Sequence, residues 1–120
     1  MHTYNAELAR VVDGDTIDAR IDLGFDVWIK RRIRLYGINT PESRTRDKAE
    51  KKRGLAAKKR LQEILVGNKR KFVLRSHGSG KYGRCLGEMF LHAQDEVGDA
   101  SINKMLIQEG HGVEYFGGKR

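Results

Sequence analysis

Residues 16–36, TIDARIDLGFDVWIKRRIRLY, contain two runs of alternating apolar and polar side chains separated by a short turn. Apolar residues occupy every second position of the first run, residues 17–23, and the same period returns in residues 27–36. A period of two is typical of a strand with one buried face. Because residues 24–26 are long enough for a tight turn, the whole stretch predicts a β-hairpin.

The segments on either side of this hairpin predict the rest of the fold. The pattern favours strands at 5–12, 69–76 and 84–92, an amphipathic helix at 47–66 and a short helix at 101–109. This order predicts an α+β, mainly β protein: a five-stranded Greek-key OB-fold barrel with a helix between strands 3 and 4 and a short C-terminal helix. With 120 residues, the chain is expected to form one domain over 1–120.

The charge balance of the chain is basic. Lys and Arg number 24 against 16 Asp and Glu, which gives a formal net charge of +8. Such an excess is typical of a protein that meets a polyanion, and nucleic acid is the first partner to consider. A basic surface that serves only to keep a protein in solution is the alternative when no motif accompanies the charge.

Several kinds of protein are disfavoured by what the sequence contains. Cys85 is the single cysteine, so the chain has no disulfide partner of its own, and we expect it to pack in the core. The first residues show no signal peptide, which leaves a cytoplasmic location and release after processing both open. No run of 18 apolar residues occurs, so no membrane partner is expected. The four histidines show no metal-ligand spacing.

Three short motifs carry the chemistry of the chain. They are Asp13-Gly14-Asp15-Thr16, Arg34 with the following Thr40-Pro41-Glu42, and Lys81-Tyr82-Gly83-Arg84. Phosphodiester hydrolysis needs oxygen ligands for a hard cation, a group that activates water, and positive charge near the phosphate. Each motif alone is better explained as a turn, an exposed strand position or a loop, but the three together supply all of these groups.

From residue 5 to residue 115, these motifs and their order resemble the thermonuclease family, the staphylococcal nuclease-like proteins. The resemblance implies that Asp15 binds Ca²⁺ together with the Thr40 carbonyl, and that Asp13 lies close behind the metal. The family usually has Asp where this chain has Asn39. An amide oxygen can still bind calcium but brings no charge, so we expect looser binding of the ion.

The resemblance also assigns groups that act on the substrate. Arg34 and Arg84 would hold the scissile phosphate, and Glu42 would orient or deprotonate the attacking water. Lys81 is implied as a contact to a neighbouring phosphate, and Tyr82 and Tyr115 as contacts to a nucleotide. For Tyr115, packing within the fold is an equally good explanation.

The resulting expectation is a calcium-dependent, sequence-nonspecific nuclease, acting as a monomer on DNA and RNA and leaving 3′-phosphate ends. One alternative is an OB-fold nucleic-acid-binding module whose catalysis has been weakened or lost through Asn39. Another is a protein that uses its charge to bind an acidic partner, which would leave the three motifs without a role.

Overall fold

The computed structural model of the chain describes residues 3–79, 85–92 and 101–115. Secondary structure follows the predicted order, with two short strands added. The elements are β1 (Thr3–Asp13), β2 (Thr16–Asp22), β3 (Trp28–Leu35), β4 (Gly37–Asn39), α1 (Lys48–Gly67), β5 (Lys71–Ser79), β6 (Cys85–Phe90), α2 (Ile102–Gln108) and β7 (Val113–Tyr115).

Five of the strands close into a barrel. Their order around it is β1-β2-β3-β6-β5, and β5 pairs with β1 to complete the circle. All neighbouring pairs are antiparallel except β3 and β6, which are parallel. Helix α1 lies between the third and fourth barrel strands along the chain, so the predicted OB-type barrel is confirmed.

The barrel interior holds the hydrophobic core. Ile17 and Ala19 of β2 and Ile33 of β3 are fully buried, as the alternating pattern predicts. Arg32 and Arg34 lie on the opposite, outer face of β3. Replacing a buried isoleucine by alanine typically costs about 2–5 kcal/mol, so this interior fixes which face of the hairpin points outward.

Helix α1 covers one side of the barrel and contacts β1 and β5. Asp47 caps its first turn, where Oδ1 accepts hydrogen bonds from the amides of Ala49 at 3.0 Å and Glu50 at 3.2 Å. The predicted apolar face of the helix is confirmed, since Ala57, Leu61, Ile64 and Leu65 are all buried. No helix among the described residues is both long and apolar enough to cross a membrane.

The two-stranded sheet of β4 and β7 was not predicted from the sequence. Gly37 pairs with Tyr115, and Asn39 pairs with Val113. Helix α2, capped by Ser101, lies before β7 and buries Ile102 and Leu106 as expected. A second difference is at the end of β5, because residues 77–79 continue the strand instead of forming a loop. The small sheet matters because β4 carries Asn39 and leads directly into Thr40.

Candidate active site

Asp15 lies in the tight turn between β1 and β2, and its side chain is buried. Its Oδ1 accepts a hydrogen bond from the Thr16 hydroxyl at 3.0 Å, and its Oδ2 accepts one from the Thr40 amide at 3.1 Å. The Asp15 carbonyl in turn accepts from the Leu35 amide at 2.8 Å. The turn is therefore fixed both to the end of β3 and to the segment that follows β4.

Arg34 brings its charge to the same place. Its Nη1 lies 3.4 Å from Asp15 Oδ2, and the two side chains are only 16% and 10% exposed. The same nitrogen donates to the carbonyls of Leu35 at 3.1 Å and Ile38 at 2.9 Å. Nη2 donates to the Asn39 side-chain oxygen at 3.4 Å. The guanidinium is thus anchored mainly through Nη1, and no described residue accepts a hydrogen bond from Nε.

Two further oxygens, on segments that adjoin this pair along the chain, have no hydrogen-bond partner among the described residues. They are Oδ1 of Asp13 and the hydroxyl oxygen of Thr40, and both are buried. The Thr40 hydroxyl packs against the turn, since a Cβ added to Gly14 would lie 2.9 Å from it and 2.7 Å from the Cβ of Ala57. A buried oxygen without a partner is costly, so these atoms suit a site that completes itself with a ligand.

The chemistry of these donors fits a hard cation. Carboxylate, carbonyl, hydroxyl and amide oxygens are what calcium binds, and all are present around Asp15. In the described part of the chain, however, no three His, Cys, Asp or Glu side chains come together as a metal-binding group. Any ion held here would rest largely on uncharged oxygens, with Asp15 as the central carboxylate.

Glu42 is placed by an unusually close approach of its backbone to helix α1. A Cβ on Gly54 would meet the Glu42 carbonyl and would lie 2.7 Å from the Ser43 amide nitrogen. Only glycine fits under this segment. Glu42 is exposed while Ser43 is buried, so residue 42 lies at the surface beside a backbone that is held against the helix.

A depression of about 510 Å³ opens beside Asn39 and Thr40. Residues 39–41 form one wall, Glu50 and Arg53 of α1 another, and the turn at residues 110–113 a third. Neither Gly54 nor Thr16 was predicted to belong to the site. A helical glycine gives no distinctive signal by itself, whereas Thr16 is part of the motif that contains Asp15.

Four other predicted site residues are not seen beside Asp15 and Arg34. Tyr115 is half-buried in β7 opposite Gly37, at the far end of the small sheet from Asn39. Lys81, Tyr82 and Arg84 lie outside the described residues. The structure therefore brings Asp15, Arg34, Asn39 and Thr40 together through direct contacts, with Asp13 and Glu42 on the adjoining segments.

The fold and the site together define the class of the protein: it is an OB-fold protein with a buried Arg–Asp pair at the end of its β2–β3 hairpin. A family model described as Staphylococcal nuclease homologue matches residues 32–119. The chain therefore belongs to the staphylococcal nuclease homologue family. The matched range contains Arg34, Asn39, Thr40 and Glu42, and the contacts described above connect Asp15 to that range.

Individual relatives agree with the family match. Micrococcal nuclease of Shigella flexneri is 30% identical over 118 residues, covering 93% of this chain and 59% of the relative. Thermonuclease of Staphylococcus intermedius is 33% identical over 101 residues, covering 84% and 54%. Protein ParB of Escherichia coli is 27% identical over 112 residues, covering 91% and 56%. The chain spans little more than half the length of these relatives.

Proposed function

We propose that this chain is a calcium-dependent, sequence-nonspecific nuclease that hydrolyses phosphodiester bonds in DNA and RNA and leaves 3′-phosphate ends. The buried contact between Arg34 Nη1 and Asp15 Oδ2, at 3.4 Å, is the observation that carries the proposal. It puts a carboxylate suited to a metal next to a guanidinium suited to a phosphate. Family membership and two relatives named as nucleases support the same conclusion.

Arg34 is the proposed phosphate contact. Two backbone carbonyls and Asp15 hold Nη1, and Asn39 accepts from one N–H of Nη2, which leaves Nε and the second N–H of Nη2 as the edge for a ligand. That edge presents two parallel N–H groups, and a phosphate presents two oxygens at a matching spacing. Because the guanidinium is fixed beforehand, little side-chain entropy is lost when the phosphate binds.

Asp15, Asn39 and the Thr40 carbonyl are the proposed ligands of the calcium ion, with Asp13 behind them. The buried oxygens of Asp13 and Thr40, which lack partners among the described residues, fit this assignment. When bound, calcium would supply Lewis-acid stabilisation of the charge that builds on the phosphate oxygens. Since Asn39 brings no formal charge, the site should bind the ion more weakly than one with aspartate there.

Glu42 is the proposed base. Its carboxylate accepts a proton from water as the water oxygen bonds to phosphorus, and the bond between phosphorus and the 5′ oxygen breaks. The departing 5′ oxygen takes up a proton from solvent, to which Glu42 later returns the one it accepted, so the products are a 5′ hydroxyl and a 3′ phosphate. Arg84 is proposed as a second guanidinium on the phosphate, and Lys81, Tyr82 and Tyr115 as contacts to the rest of the strand.

The test is a nuclease assay on single-stranded DNA and on RNA as calcium is titrated, with a chelator as control. We expect cleavage with calcium and none with chelator. The products should carry 3′-terminal phosphates that a 3′-phosphatase removes. Asp15→Asn should raise the calcium concentration required, and Glu42→Gln should slow turnover at saturating calcium. Full activity in chelator would refute the calcium dependence.

A binding module is the second candidate, and Asn39 is the observation that favours it. Its side-chain oxygen accepts from Arg34 at 3.4 Å, so the position is filled by a neutral amide where a carboxylate would bring charge. In that case the wild-type chain would bind single strands without cutting them at any calcium concentration. Cleavage that appears only in Asn39→Asp would support this second function over the first.

A further inference from the structure

The outer face of β3 carries a regular row of side chains. Trp28, Lys30, Arg32 and Arg34 occupy alternate positions of the strand, and Arg31 between them is exposed as well. Alternate residues of a strand are about 6.6 Å apart, so the row extends about 20 Å from Arg34 towards the tip of the hairpin. It begins at the candidate active site and leads away from it.

Positive charge is concentrated along the middle of this row. A depression of about 400 Å³ is lined there by Arg10, Lys30, Arg31 and Arg32, against a single carboxylate, Asp18. Asp18 accepts from Arg32 Nε at 2.8 Å and Nη2 at 3.2 Å, and it lies 3.5 Å from Arg10. The hydrogen bond from Arg32 lowers the pKa of Asp18, which keeps this carboxylate ionised as a fixed support for the arginine.

An aromatic surface lies at the far end of the row. Trp28 is 37% exposed, and the guanidinium of Arg20 lies 4.9 Å from its ring centre. Phe25, at the tip of the hairpin, is fully exposed with φ at 56°. A flat ring beside cations is the combination with which proteins bind unpaired bases next to their phosphates.

We propose that Trp28, Lys30 and Arg32, here called the β3 track, bind the single-stranded nucleic acid that extends from the candidate active site. Arg32 and Lys30 contact successive phosphates, and Trp28 stacks on a base beyond them. The claim that the nucleic acid extends from the candidate active site rests on the proposed function. The binding of nucleic acid to the track does not rest on it, because that binding needs only charge and an exposed ring.

The exposed ring in the row favours a single strand over a duplex. The charges of the row would suit the phosphates of any nucleic-acid strand. Stacking on Trp28, however, requires a base that is free of its complement. Duplex DNA or an acidic protein would meet the charge but not the ring. An anionic membrane would meet both, but the row continues from Arg34, the proposed phosphate contact, which favours a strand, and vesicles are included in the test.

The experiment compares variants in chelator, so that no strand is cut. Lys30→Gln/Arg32→Gln removes two charges from the track, and Trp28→Ala removes the ring. Lys52→Gln/Lys59→Gln removes the same charge from exposed positions on helix α1, and serves as the matched control. Fluorescence anisotropy would report binding of a labelled dinucleotide and of a single strand about twelve nucleotides long, within the range that one OB fold covers.

We expect the track variants to bind the longer strand about tenfold more weakly and the dinucleotide as the wild type does. For Lys30→Gln/Arg32→Gln, the slope of log K against the logarithm of the salt concentration should become shallower by about 1.4, because two phosphate contacts are lost. An equal loss in the α1 control, or an equal loss on the dinucleotide, would overturn the proposal. Duplex DNA and anionic vesicles are measured in parallel, and a loss confined to either of them would overturn the proposal as well.

Folding and function are controlled separately. Because Arg32 pairs with Asp18, Lys30→Gln/Arg31→Gln provides a second variant that leaves this pair intact, and it should weaken binding of the longer strand in the same way. If the wild type binds strands through the track but never cuts them with calcium, the proposed function fails and the track stands. If it cuts strands and both double variants bind them normally, the track fails alone.

Discussion

Two arginines that lie two residues apart on β3 each form a pair with an aspartate. The two pairs have the same composition but differ in burial and in hydrogen bonding. Arg34 and Asp15 are 16% and 10% exposed, and backbone carbonyls hold the guanidinium from the other side. Arg32 and Asp18 are 46% and 26% exposed and face each other across neighbouring strands with two hydrogen bonds.

The difference shows what makes an ion pair suitable for chemistry. In water, the Arg32–Asp18 pair gains little from its charges and loses side-chain entropy in forming. Around Asp15, burial strengthens electrostatic effects, and hydrogen bonds to the backbone fix the geometry before any ligand arrives. The turn at Gly14 creates this environment, since it places Asp15 under the segment that contains Thr40.

The largest expected effect separates the two arginines directly. Arg34→Ala should lower turnover by about 10²–10³, because it removes charge stabilisation at the reacting phosphate, while weakening the binding of a nucleotide much less. Arg32→Ala should leave turnover on a dinucleotide within about threefold of the wild type. Turnover rate and dissociation constant would be measured on one substrate for both variants. Similar turnover losses in the two would remove the distinction.

Two glycines of α1 test whether the site depends on its close contact with the helix. Gly54→Ala should destabilise the protein by about 1–3 kcal/mol and lower turnover, because the added methyl would displace the backbone at Glu42 and Ser43. Gly67 has no neighbour within 4 Å of an added Cβ. Gly67→Ala should therefore leave activity unchanged and raise stability by up to about 1 kcal/mol.

Urea unfolding and turnover of the two alanine variants provide the comparison. A Gly54→Ala protein as stable and as active as Gly67→Ala would show that the backbone at residues 42–43 adjusts freely to the methyl group.

Asn39→Asp tests the metal side of the buried pair. A carboxylate here adds a charged oxygen ligand, and we expect calcium to bind about tenfold more tightly, equivalent to about 1.4 kcal/mol. Calorimetry with calcium and a bound nucleotide would measure the change. An unchanged calcium affinity would mean that residue 39 serves only as a hydrogen-bond partner of Arg34.

The smallest expected effect concerns the exposed pair. The hydrogen bond from Arg32 lowers the pKa of Asp18 below its usual 3.8. The folded state therefore gains stability from this group above the usual value, and the gain is lost as the pH falls through the lowered pKa. Asp18→Asn should lower the melting temperature by no more than a few degrees at pH 7. The difference should vanish in strong acid, as thermal melts across pH would show.

Much of the fold could be predicted because burial leaves a periodic signal. The hairpin of β2 and β3 and the apolar face of α1 are set by side chains that must leave water, and the sequence displays both periods. Strands β4 and β7 have three residues each, too few to show a period, and they are stabilised by pairing with each other across a long separation in sequence. Their existence could not be read from either segment alone.

The candidate site was predictable to a similar extent. Asp15, Arg34, Asn39 and Thr40 belong to recognisable motifs, and the structure brings them into contact. The anchoring of Arg34 by the Leu35 and Ile38 carbonyls and the fit of Gly54 beneath residues 42–43 depend on the path of the backbone. Such contacts leave no pattern in the order of side chains.

The pairing of β7 with β4 also has a consequence for biosynthesis. Asn39 emerges from the ribosome early, but its partner strand is among the last described segments to be translated. A nascent chain that has completed the hairpin still lacks the strand that steadies β4. The segment that carries Asn39 therefore reaches its final pairing only after residues 113–115 have been synthesised.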